Sequence, residues 1–104
     1  MAKHRFQFNH EGDYILEATT YANNDTLALM MYPDGCPDDF TVLSVNLNNN
    51  MMQDKEHCFI DLNNCPFAEE LLLDLGIAEI TFISQRSGFC TYPLLRINLD
   101  KFTN

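Results

Sequence analysis

The chain has 104 residues, is 46% apolar and carries a formal net charge of −9. A single domain of this size buries roughly 60–70% of the surface its unfolded chain exposes, enough for one modest core without staples. The charge argues against binding to nucleic acid or anionic lipid, and the apolar fraction excludes a disordered acidic tail.

Residues 5–9 (Arg5-Phe6-Gln7-Phe8-Asn9) alternate polar and apolar, which predicts a half-buried strand. His10-Glu11-Gly12-Asp13 reads as a turn, and Tyr14 to Thr19 completes a hairpin. A second turn at Ala22–Asp25 leads into Thr26–Tyr32, which is apolar on both faces and suits a central strand. Pro33–Asp39 is dense in turn residues. Phe40–Leu47 then alternates, with Leu43, Val45 and Leu47 on one face, until Asn48-Asn49-Asn50 breaks the pattern. Residues 51–57 read equally as loop or as one helical turn, and Cys58–Leu62 as a short strand.

The clearest helix covers 65–76. Asn63, Asn64 or Cys65 caps it, and Pro66 sits in its first turn, where a missing N–H costs nothing. Phe67, Ala68, Leu71, Leu72 and Leu75 form its apolar stripe, Glu69 and Glu70 complement its dipole, and Gly76 ends it. Ile80–Ile83 reads as a strand, Ser84–Gly88 as a turn, and Phe89–Tyr92 as an extended segment stopped by Pro93. Leu95, Ile97 and Leu99 alternate in a last strand. The pattern predicts a single α+β domain, 1–104, with an antiparallel sheet of about five to seven strands packed against one principal helix (residues 65–76).

No segment reads as a signal peptide or a membrane span, so the expected location is the cytoplasm, with Cys36, Cys58, Cys65 and Cys90 as free thiols. The cysteines lie 22, 7 and 25 positions apart, without the close pair that structural zinc sites use. Cys65 near a helix start has the position of an activated thiol, but Glu69 and Glu70 oppose a thiolate there. Asp34–Asp39 is the densest acidic cluster and lacks the ligand order of a calcium loop. No phosphate-binding loop, nucleophile elbow or dinucleotide motif occurs. The expectation is a non-enzymatic protein with no cofactor and no metal.

What remains is the charge distribution. Between Arg5 and Arg86 stand fourteen carboxylates and one basic residue, Lys55. On a strand, residues i and i+2 share a face about 6.7 Å apart, so Glu11/Asp13 and Asp54/Glu56 would form rows if extended. Such rows approach the charge density of a nucleic-acid backbone, and a basic groove built for DNA or RNA would accept them.

Two further stretches are distinctive: Asp61-Leu-Asn-Asn-Cys-Pro-Phe-Ala-Glu-Glu70 and Ser87-Gly-Phe-Cys-Thr-Tyr-Pro-Leu94. With Thr26-Leu-Ala-Leu29 and Asn98-Leu-Asp-Lys-Phe102, the chain resembles an uncharacterised family of small acidic proteins encoded on conjugative transposons and related mobile elements of Gram-positive bacteria. Phe67 stands where many members have Trp. The resemblance transfers no catalytic residues. It implies an element-encoded protein that blunts host defence, of the anti-CRISPR or anti-restriction kind. The expected partner is a protein with a basic groove, such as a nuclease, bound through Asp34, Asp38, Asp39, Asp54, Glu56, Glu69, Glu70 and Asp74. Direct nucleic-acid and membrane binding are not expected. Two alternatives are a mobile-element adaptor using Met30, Met31, Met51 or Met52, and a thiol or zinc protein using Cys65 and Cys90.

Overall fold

The structure is a computed structural model and describes residues 2–47 and 51–103. Eight strands form two four-stranded antiparallel sheets, where sequence patterning predicted one. The first sheet has the order β1-β2-β3-β4, with β1 Ala2–Gln7, β2 Asp13–Thr20, β3 Leu27–Pro33 and β4 Thr41–Val42. The second has the order β5-β6-β8-β7, with β5 Ser44–Val45, β6 His57–Ile60, β7 Ala78–Ser87 and β8 Cys90–Ile97. One helix, α1, spans Ala68–Asp74. Among the described residues no helix is long and apolar enough to cross a membrane.

The split into two sheets happens at Leu43. The alternation of 40–47 predicted one continuous strand, but the segment divides its pairing: Val42 lies opposite Met30 of β3, whereas Ser44 lies opposite Ile60 of β6. Between them Leu43 is fully buried; its N–H donates to Leu29 O at 2.9 Å and its carbonyl accepts from Asp61 N–H at 2.9 Å. The residue thus bonds to one sheet through its donor and the other through its acceptor. Ser44 seals the join: its Oγ accepts Leu29 N–H at 3.0 Å and shares a 2.8 Å hydrogen bond with Tyr21 Oη.

β3 is buried on both faces, as its apolar run predicts. Leu27, Leu29 and Met31 point into the core, and the opposite face buries Ala28 and Tyr32. That second face also buries Glu17, which accepts a 2.8 Å hydrogen bond from Tyr32 Oη and lies 4.0 Å from Lys3 Nζ. β1 starts earlier than its alternation suggested. Lys3 and Thr103 exchange two backbone hydrogen bonds of 2.7 Å, so the end of the chain pairs with the outer edge of β1.

α1 is shorter than 65–76. Its residue before the first turn is Phe67, with no side-chain cap, and none of Asn63, Asn64 and Cys65 fills that role. Asp61 is the reason: its side chain accepts from Asn64 N–H and its carbonyl from Cys65 N–H, so residues 61–67 are spent in turns. The other end matches expectation. Gly76 adopts φ 70°, its N–H bonds to Leu73 O, and Ile77 N–H bonds back to Leu72 O, a Schellman ending with Leu72 and Ile77 both in the core.

The β7–β8 hairpin is longer than predicted. Ser84–Ser87 extends β7 instead of turning, because its register with β8 resumes after an irregularity between Ile80 and Ser84. Pro93 lies inside β8 and does not stop it; it falls one position beyond the last β6–β8 pair, Phe59 with Leu94, where no ladder donor is required of it. Leu99 leaves the last strand for a short 3₁₀ turn, Leu99–Lys101, capped by the Asn98 side chain.

Ser44→Ala removes the acceptor for a buried backbone N–H. We expect a loss of about 1–3 kcal/mol in denaturant-unfolding free energy. A loss within error of zero would show that the join does not depend on this hydroxyl.

Candidate partner-binding face

The first sheet's register gathers carboxylates at one end. Tyr14 pairs with Pro33, and Asp34 N–H donates to Asp13 O at 2.9 Å, which sets Asp13 beside Asp34. The β1–β2 turn adds Glu11, whose Oε2 accepts from Tyr14 Oη at 3.3 Å. Asp38 and Asp39 stand in an exposed 3₁₀ turn, Pro37–Asp39, immediately beyond. Burial raises the Tyr14 pKa above its ordinary value, and Glu11 and Asp39 add to the rise, which places both carboxylates near the phenol.

An aromatic cluster underlies this end. Phe8 meets Tyr14 with ring centroids 5.2 Å apart and Phe67 at 5.5 Å. Phe67 carries the face onto α1. A groove of about 350 Å³ lies between Phe8 and Asn9 on one side and Phe67, Glu70, Leu71 and Asp74 on the other. Glu11 bonds to Tyr14, and Glu70 and Asp74 border this groove, whereas Asp13 and Asp34 turn to the opposite face of the first sheet, so the seven acids share one end of the sheet without lining one surface. On that opposite face Arg5 lies 2.8 Å from Asp34 and 3.7 Å from Asp13. Both contacts are exposed and contribute little stability.

Five of the eight acids chosen from the sequence fall here: Asp34, Asp38, Asp39, Glu70 and Asp74. Glu69 lies on another side of α1, beside Ile80 and Phe82 of β7. Asp54 and Glu56 stand at the opposite end of β3, where Leu27 N–H donates to Asp54 O. Six residue steps along β3 separate the two ends by about 20 Å. These two side chains are also tied down locally. Asp54 Oδ1 accepts from the N–H groups of Glu56 and His57, each at 2.8 Å, and lies 2.9 Å from His57 Nδ1. Glu56 lies 3.5 Å from Arg96, which also reaches Glu79 at 3.0 Å. The aromatic members Phe8, Tyr14 and Phe67 were not selected from the sequence; Glu11 and Asp13 were read as a possible extended row but not among the eight, and Glu11 stands in a bend outside any strand.

The Cys65 thiol is not activated. Burial pushes its pKa up and Asp61 adds to the rise, so the lowering expected from a helix start is absent. The helix begins three residues later, which removes the reason for that expectation. Burial pushes Cys58 up to about 12. Among the described residues no three His, Cys, Asp or Glu side chains gather to hold a metal ion.

With this geometry in place, comparison with known proteins is informative about family but silent on activity. A family model described as "Domain of unknown function (DUF4313)" matches residues 15–104. The chain belongs to that family. The match begins at Ile15 within β2 and runs past the closing 3₁₀ turn, so it includes the acidic turn at 33–39 and the α1 side of the groove but not Phe8, Glu11, Asp13 or Tyr14. No curated protein and no solved structure matches the chain.

Asp54 has a pH signature. Partial burial works against its ionised form, but the N–H groups of Glu56 and His57 and the His57 ring outweigh it and hold its pKa below the usual carboxylate value. A depressed folded pKa gives stability that is present above the unfolded pKa and is lost as pH falls through the folded one. Asp54→Asn should cost about 0.5 kcal/mol at neutral pH, a figure kept small because the side chain is more than half exposed. That difference should begin to shrink as pH drops below about 4 and disappear below the depressed folded pKa, and chemical denaturation across pH would reveal it.

Proposed function

We propose that this protein is a non-enzymatic inhibitor that sets its acidic, aromatic end into the basic nucleic-acid groove of a partner protein. The gathering of seven carboxylates at the end of the first sheet that holds Phe8, Tyr14 and Phe67 carries this reading. Adjacent strands lie about 5 Å apart, so side chains from β2, the following turn and α1 place negative charges at spacings of the order found along a duplex backbone. The exposed ring of Phe67 adds a flat surface on which Arg can stack. The resemblance to proteins of Gram-positive mobile elements favours a host defence nuclease of the restriction or CRISPR type as the partner. Cytoplasmic residence follows from that partner.

The test is inhibition of DNA cleavage by such nucleases, measured against salt. A variant combining Asp34→Asn, Asp39→Asn and Glu70→Gln should inhibit at least about tenfold less well, and inhibition by the unaltered protein should weaken steeply as salt rises. Inhibition that ignores both changes defeats the proposal.

A second reading, an element-encoded adaptor, rests on Met51 and Met52. Met51 is 96% exposed, and the two border a groove of about 320 Å³ with Asp54, His57, Thr81, Ile83 and Leu94. Methionine suits an adaptable contact. Under this reading Met51→Asp weakens partner capture by roughly tenfold while salt leaves it unchanged.

A further inference from the structure

Phe82 on β7 holds a position that the isolated chain does not explain. It is 94% exposed and has φ 63°, in the left-handed region that bulky residues avoid. Both features are unfavourable, and neither is repaid inside the monomer. The conformation is held from below: Thr81 Oγ1 donates to Leu94 O at 2.7 Å and accepts Ile83 N–H at 3.1 Å, fixing the irregularity that aims Phe82 outward. Strain that surrounding bonds enforce is characteristic of contact sites. Phe82 borders a groove of about 230 Å³ with Ile80, Ile83, Pro93 and Leu94, and Ile80 is itself half exposed. β7 is also an edge strand, paired only with β8.

We infer that this edge is the contact between two copies of the chain. Charge selects the occupant. A chain of net charge −9 repels its own copies through most faces, but from Ile80 to Asn98 it contains no Asp or Glu. The β7–β8 hairpin is thus the surface on which two copies can approach. Glu69 lies at the groove and Arg86 farther along β7, so the border of the patch carries charges of both signs. The irregularity at Phe82 interrupts the edge, which disfavours open-ended strand addition and favours a closed side-chain contact. A buried Phe removes about 150–250 Å² from water, so Phe82 from two copies falls short of a specific interface by itself, and Ile80 and Ile83 must join it in a small, weak contact. The dimer should therefore dissociate on dilution.

Sedimentation equilibrium of the full chain over a dilution series, at low and high salt, tests this. We expect a shift from the 12.0 kDa monomer toward twice that mass, strengthened by salt as mutual repulsion is screened. Phe82→Asp should weaken association by roughly tenfold or more. Asp tolerates the left-handed region better than Phe, so circular dichroism should show an intact fold, and Ile80→Asp should act in the same direction. A protein that stays monomeric throughout the series at high salt overturns the inference, as does a dimer indifferent to both substitutions. Salt acts here in the opposite sense to its effect on the acidic face, so failure of one proposal is distinguishable from failure of the other.

Discussion

Leu43 is where two sheets become one protein. Neither its N–H nor its carbonyl can turn to water, because the residue is fully buried. Each must find a partner, and each finds one in a different sheet. An unmade bond at such a site costs about 1–3 kcal/mol. Sliding 41–45 by one residue would turn Leu43 outward and leave both sheets short of a partner. The join therefore fixes the sheets relative to each other through register, with side-chain packing adding to it. Ser44 strengthens the same point by satisfying Leu29 N–H, which the divided strand cannot reach with its own backbone. The Lys3–Thr103 pair performs the corresponding task at the outer edge of β1.

The acidic face depends on this arrangement. Asp13 and Asp34 are far apart in sequence and adjacent because β2 and β3 pair in one register. Glu70 and Asp74 reach the same end because α1 rests Phe67 on Phe8. Like charges so placed repel, and the fold tolerates this because the groups are exposed and screened. Arg5 relieves only part of the repulsion. Inside the protein the treatment of charge differs. Glu17 is buried, and it is held by Tyr32 and Lys3 rather than displayed.

The sequence made some of this legible and hid the rest for identifiable reasons. β3 was readable because a run apolar on both faces has few alternatives. The helix stop was readable because Gly76 supplies a backbone conformation other residues resist. The helix start was not, since Pro66 and the Asn63-Asn64 pair suit a cap and a turn equally well, and Asp61 settled the choice through bonds invisible to spacing. The division at Leu43 was hidden because unbroken alternation looks the same whether a strand keeps one partner or changes it. Burial of Glu17 was hidden because its partner Tyr32 sits on another strand. Asp34, Asp38 and Asp39 are neighbours in sequence and were found together. Their association with Glu11, Asp13 and the aromatic rings required the register, which local pattern does not contain.

The fifteen carboxylates and the acid-free stretch that follows Glu79 pose one physical problem between them. A surface evolved only for solubility would spread its charge and keep aromatic rings inside. This chain does neither. It gathers negative charge at the end of the first sheet that holds Phe8, Tyr14 and Phe67, and leaves the β7–β8 hairpin beyond Glu79 without acids while Phe82 and Phe89 stand almost fully exposed. Exposed rings beside carboxylates suit a cationic partner, because Arg can stack on the ring and pair with the acid at once. Exposed rings without carboxylates suit an apolar one. The two surfaces therefore differ in chemistry, and α1, with Glu70 and Asp74 toward one and Glu69 toward the other, is the element that borders both.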